Sequence, residues 1–142
     1  MLTLTSEYAM RALIYLTRHA DEGPIPGRCI AEQGNIPPKY LSKILGDLVR
    51  IGVLSSSPGK TGGFRLLRNP KKIMLYDVLK RFEQFELRRC PFGNSVCSDE
   101  RPCLAHDKWK KVVETEQRFL RKTSVHEVAI ADGKRHRGVK AK

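Results

Sequence analysis

Leu41, Ile44, Leu45 and Leu48 recur at i, i+3, i+4 and i+7, and Gly52 follows shortly after the last of them. That spacing puts four large apolar side chains on one face and predicts a helix from about Lys39 to Ile51. Gly52 stands where a left-handed residue ends such a helix. The preceding "GNIPP" breaks any helix, and the stretch from Arg28 to Gln33 before it reads as a short helix of its own. Further upstream, Thr3 to Ala20 carries Tyr8, Ala9, Ala12, Leu13 and Leu16 on one face. Met10 and Ile14 lie elsewhere on this segment, so the helix is expected to be covered on more than one side. "DEGPIPG" ends it.

After Gly52 come two short extended pieces, "VLSS" and "FRLL", joined by "SPGKTGG". Apolar runs separated by glycines and a proline predict a β-hairpin. A helix over Tyr76 to Phe85 groups Val78, Leu79 and Phe82. A long helix is then expected to run to about Lys122 on a stripe of Trp109, Val112, Val113, Phe119 and Leu120. "SVHE" has the form of a capping box, with Ser124 and Glu127 at its ends, and opens a last short helix. There is no internal repeat.

Helix, short helix, turn, helix and hairpin is the order of a winged helix-turn-helix. The expected fold is therefore mainly α, with a two-stranded wing and a long C-terminal helix. Three parts follow: residues 1–85 for DNA binding, 86–132 for a cysteine-bearing loop and the long helix, and a basic disordered tail at 133–142.

Charge points to the same polyanion partner. The chain has 142 residues and a net charge of +12. Between Lys39 and Lys72 there are eight bases (Lys39, Lys43, Arg50, Lys60, Arg65, Arg68, Lys71, Lys72) against one acid, Asp47. From Cys90 to Asp132 seven bases balance seven acids, and the last ten residues add five bases and no acid. A basic block that coincides with the second helix of the pair and the hairpin marks one surface for DNA. Lys39, Tyr40, Ser42 and Lys43 lie outside the apolar stripe near the N-terminal end of that helix, the part that reaches base edges. Lys60, Thr61 and Arg65 fall on the wing, where they would meet phosphates or the minor groove.

Three of the four cysteines and a histidine crowd into one stretch, Cys90-x6-Cys97-x5-Cys103-x2-His106. No apolar run is long enough for a membrane span and the start lacks signal-peptide character, so the expected address is the cytoplasm, where disulfides are disfavoured. Cys103 is expected near the start of the long helix, with His106 three residues on along the same face. Thiolate and imidazole suit zinc and iron–sulfur clusters alike. Structural zinc sites usually show tighter cysteine pairs. Cys29 reads as a packed small hydrophobe.

The segments "LTSEYAMRAL", "IAEQGNIPPKYLSKILGDLVRIGVL" and "PGKTGGFRL", with the cysteine stretch ending in "HDKW", resemble bacterial winged-helix regulators of the IscR and NsrR type. The resemblance runs to about Asp132. It implies a homodimer, paired through the long helix, that binds a pseudo-palindromic operator. It also implies an iron–sulfur cluster on Cys90, Cys97 and Cys103, with 2Fe–2S favoured over 4Fe–4S. The fourth ligand varies among such proteins: His106 matches one pattern, and Glu7 of the partner subunit matches another. Two departures bear on operator choice. Pro58 stands where related wings often carry an arginine, and Ser42 replaces a longer polar side chain.

The expected function is thus a transcriptional regulator, read as a repressor, that senses cluster status, redox state or nitric oxide. A cluster-free regulator using zinc or thiols at the same site is the first alternative, and a small iron–sulfur electron-transfer protein is the second. The chain shows no Gly-rich phosphate loop, Ser/His/Asp arrangement or paired carboxylates, so neither an enzyme nor a small-molecule substrate is expected, and no membrane partner.

Overall fold

A computed structural model describes residues 2–86, 89–93 and 95–136. Helix α1 spans Leu4–Arg18, with the Thr3 side chain accepting a hydrogen bond from the Ser6 amide as its N-cap. It buries Ala9, Ala12, Leu13 and Leu16. A 3-10 turn at Ala20–Glu22 leads to α2, Gly27–Gly34, which Asn35 closes in the left-handed region with φ 49°. Helix α3, Pro38–Arg50, starts on a proline whose missing N–H costs nothing at a first turn. Its stripe of Leu41, Ile44, Leu45 and Leu48 is buried against α1 and α2. Gly52 follows with φ 75°, as its position implied.

The hairpin pairs β1, Leu54–Ser57, antiparallel with β2, Gly63–Leu66, in the register Leu54↔Leu66 and Ser57↔Gly63. Each strand is displaced by one residue from the expected segments. Val53 is drawn back instead to close α3, its amide donating to the Leu48 carbonyl at 3.0 Å. Phe64 and Ile25 exchange backbone hydrogen bonds of 2.8 and 2.9 Å, which docks the wing on the segment before α2. Gly63, with φ 151°, permits this contact. A Cβ there would stand 2.3 Å from the Ile25 carbonyl.

Helix α4 is shorter than expected, Leu75–Leu79 rather than Tyr76 to Phe85. The physical reason lies in two pulls on the following turn. Glu83 reaches α1, and Phe85 stacks on Tyr76 with ring centroids 5.2 Å apart. In a continuous helix, residues nine apart point to opposite sides, so that stack requires the helix to end.

Helix α5, His106–Lys122, and α6, Val125–His136, complete the described chain. Between them Ser124 and Glu127 form the expected capping box. The Glu127 carboxylate accepts from the Ser124 amide at 2.7 Å, and the Ser124 hydroxyl accepts from the Glu127 amide at 3.2 Å. Amide-to-carbonyl bonds of 2.9 Å from Leu75 to Thr123 and from Val125 to Ile73 tie this corner to α4. Helix α6 packs on α1, burying Val125 and Ala129, and Arg18 Nε donates to the Ala129 carbonyl. The tail expected from Gly133 shares its first four residues with α6; residues 137–142 lie outside the described residues. Among the described residues no helix is long and apolar enough to cross a membrane.

Candidate functional site

Lys39, Tyr40, Ser42 and Lys43 are all exposed on the outer side of α3, because the apolar stripe fixes which face turns inward. Tyr40 is 61% exposed and leans toward the ring of Tyr8 on α1, centroid to centroid 6.4 Å. Lys60 and Thr61 sit at the exposed tip of the hairpin, and Arg65 projects from β2. Asp47, the single acid of the basic block, is buried. It accepts hydrogen bonds from Arg81 at 2.7 Å and Arg50 at 3.2 Å. The Arg81 bond, opposed by burial, holds its carboxyl below the usual range. The acid is thereby neutralised internally, and the surface of α3 and the wing keeps its positive sign.

The cysteine stretch folds back on the start of α5. Cys90 and Cys103 bring their sulfurs to 3.5 Å, while Cys97 Sγ lies 3.6 Å from His106 Nδ1. The four residues named from sequence come together as two pairs, Cys90 with Cys103 and Cys97 with His106. Cys103 precedes the helix rather than standing on it, and α5 opens at His106, whose amide donates to the Cys103 carbonyl at 3.0 Å. A continuous helix would have set Cys103 beside His106; the turn at Leu104–Ala105 sends it to Cys90 instead. Burial pushes the Cys97 thiol up, and the negative charges of Cys90, Cys103 and Asp99 push it further. Glu7 is exposed in the first turn of α1, and its carboxylate faces Arg11 at 3.9 Å.

Sequence reasoning missed three residues that line the same place. Asp99 accepts from His106 Nε2 at 2.8 Å, and Lys110 Nζ lies 2.9 Å from both of its oxygens. The His106 bond and the Lys110 ammonium hold the Asp99 carboxyl below its usual range. Trp109 places its indole N–H in the interior without a partner among the described residues. Cys97, Asp99, His106, Trp109 and Lys110 share a cavity of about 190 Å³. The one signal available earlier was spacing. His106, Trp109 and Lys110 fall within one helical turn, so their side chains crowd the same end of α5.

Among the described residues no three Cys, His, Asp or Glu side chains converge on a single metal position. The donor chemistry nevertheless fits a soft metal group. Three free thiols and one imidazole gather in a partly buried setting, and the imidazole has a carboxylate behind its other nitrogen. An orphaned indole N–H beside them suits an anionic acceptor, such as thiolate or sulfide.

The family model for Rrf2, described as "Iron-dependent Transcriptional regulator", matches residues 2–130. The chain belongs to the Rrf2 family. An IscR transcriptional regulator of Xenorhabdus nematophila is 31% identical over 128 residues, covering 89% of this chain and 77% of that protein. Among solved structures, T. potens IscR matches with a TM-score of 0.74 and 20% identity, over 100% of this chain and 93% of that one. CymR, the global cysteine regulator of B. subtilis, matches with a TM-score of 0.76 and 21% identity, over 92% and 97%. Their likeness bears out the fold expected from the residues, a mainly helical winged helix-turn-helix with a two-stranded wing and a C-terminal helix. As an Rrf2 member, the chain is a transcriptional regulator of DNA-binding type.

Proposed function

We propose that this Rrf2 protein is a cytoplasmic repressor that holds a 2Fe–2S cluster on Cys90, Cys97, Cys103 and His106 and binds operator DNA as a homodimer. The observation that carries the reading is the arrangement of donors in two pairs, Cys90 with Cys103 and Cys97 with His106. Four protein ligands shared by two irons call for two pairs, whereas one tetrahedral zinc calls for convergence on one point. When bound, such a cluster supplies a centre whose charge and ligand demand change with oxidation, nitrosylation or loss.

The chain's own residues translate that demand. Cys90 lies nine residues after Arg81, which grips Asp47 on α3, and His106 opens α5. A change in how the cysteine pairs are held therefore acts on the start of α5. Val112 and Phe119, each 55% exposed on α5, support a second copy as the cover of that helix. In a dimer, the separation of the two α3 helices sets which half-site spacing is read. Lys39, Tyr40, Ser42 and Lys43 then face base edges, and Lys60, Thr61 and Arg65 face the backbone or minor groove. Glu7 of the partner subunit is the alternative fourth ligand.

A thiol switch has one observation in its favour, the 3.5 Å approach of the Cys90 and Cys103 sulfurs. Anaerobic purification with a visible spectrum and iron, sulfide and zinc analysis separates the readings. A coloured protein with about two irons and two sulfides per chain is expected. Cys97→Ala is expected to lose the colour and to change operator affinity and selectivity. A colourless zinc protein, or DNA binding indifferent to Cys97→Ala, overturns the proposal.

A further inference from the structure

We infer that Asp99 is a positioning residue that makes Nδ1 of His106 the nitrogen offered to a metal, and that Lys110 holds Asp99 in place to do so. The inference rests on reading His106 and the three cysteines as ligands. A neutral imidazole has one N–H and one lone pair, and a carboxylate can only accept. Asp99 Oδ1 lies 2.8 Å from Nε2, so the ring proton belongs on Nε2. Nδ1 is then the nitrogen with the lone pair, and it is the one that faces Cys97 Sγ.

The ring has little freedom to choose otherwise. His106 is only 5% exposed, and exchanging its two nitrogens would break the Asp99 bond inside the cavity. The Asp99 side chain is 71% exposed and would swing into water if held by the histidine alone. Lys110 prevents this by contacting both carboxylate oxygens. His106 and Lys110 are four apart on α5 and share a face, so Asp99 bridges two neighbours on one helix. The loop between Cys97 and Cys103 is thus anchored to α5 by a residue that is not itself a ligand. Nδ1 is the ring nitrogen nearer the helix backbone, so a group held by it and by Cys97 would tie the loop to the first turn of α5.

Two readouts test this, one on the apo protein and one on protein reconstituted with iron and sulfide. In the apo protein, long-range ¹H–¹⁵N spectra with labelled histidine are expected to show His106 protonated at Nε2. Asp99→Asn keeps an acceptor oxygen and should preserve that form, while Asp99→Leu should give a mixture in which the Nδ1–H form is detectable. In the reconstituted protein, chelator-driven iron loss is expected to be about 10-fold to 100-fold faster for Asp99→Leu than for wild type. Lys110→Met should give a smaller increase. An unchanged tautomer in Asp99→Leu, or an unchanged rate of iron loss, overturns the role of Asp99. If wild type takes up no iron, the ligand reading fails instead, and the apo spectra still decide which nitrogen Asp99 orients.

Discussion

Asp47 and Arg81 are joined by a 2.7 Å hydrogen bond that ties helix α3 to the turn after α4. Arg50 makes a second, longer contact to the same oxygen, but its side chain is 72% exposed, so Arg81 is the main partner. Removing Arg81 leaves a buried carboxylate with one weak partner. Arg81→Ala is expected to cost about 1.5–2 kcal/mol of stability at pH 7, the lower end for a hydrogen bond to a charged group because Arg81 is part-exposed. Because the Arg81 bond depresses the Asp47 pKa in the folded state, its stabilisation is complete above the ordinary carboxylate pKa and is lost as pH falls through the folded value. Urea unfolding should therefore show a gap between wild type and Arg81→Ala that narrows below about pH 4. A gap that persists in acid would mean that the loss comes from packing.

Glu83 provides a second tie, from the same turn to the start of α1. Its Oε1 accepts from the Thr3 amide at 2.6 Å, the Thr3 hydroxyl at 2.8 Å and the Ser6 hydroxyl at 2.6 Å. Burial pushes the Glu83 carboxyl up, but the bonds from Ser6 and Thr3 outweigh it and keep it below the usual range. Glu83→Ala is expected to free the first turn of α1, raising amide exchange there about 5-fold, equivalent to about 1 kcal/mol. In wild type the same loosening should set in as pH drops through the depressed value. Hydrogen exchange resolved to the α1 N-terminus checks both.

Gly63 decides whether the wing can dock. Its φ of 151° and the 2.3 Å approach of a Cβ to the Ile25 carbonyl leave no room for a side chain. Gly63→Ala is expected to lower stability by about 2 kcal/mol or more and to weaken DNA binding through the displaced hairpin. Gly46 on α3 is the contrast, because a Cβ there meets nothing within 4 Å. Gly46→Ala is expected to stabilise by about 0.5–1 kcal/mol. Thermal melts of the two variants should move in opposite directions.

The proposed DNA face makes a prediction in salt. Each lysine that neutralises one phosphate contributes about 0.9 to the slope of log affinity against log salt. Lys39→Ala and Lys60→Ala should each flatten that slope by about one, while Lys108→Ala on α5 should leave it unchanged. Titration of an operator duplex at several salt concentrations is the measurement. Equal slopes for all four proteins would remove Lys39 and Lys60 from the interface.

Elements governed by local patterning were legible in the residues alone. The stripe of α3, the left-handed Gly52 and the capping box at Ser124 and Glu127 each depend on side chains within a turn of one another. Elements governed by distant partners were not. Helix α4 stops early because Glu83 and Phe85 answer to Thr3 and Tyr76, and nothing local reports that. The crowding of cysteines was legible, yet which sulfur meets which donor depends on the path of the loop. Cys103 turned out to face Cys90, and His106 to face Cys97. Asp99 escaped notice because an acid in a charged loop is indistinguishable from solvated surface until the histidine behind it is located.

The bonds at the Thr123–Val125 corner have a mechanical side. They hold the C-terminal end of α5 to α4, while its other end begins at His106. The 17 residues between make a beam about 25 Å long, fastened at one end and loaded at the other. A shift of about 1 Å at the loaded end corresponds to a tilt of about 2° over that length. If Cys97 and His106 hold a metal group as proposed, such a beam would convert a local rearrangement there into rotation along a whole helix face, with the corner at Ser124 as the pivot.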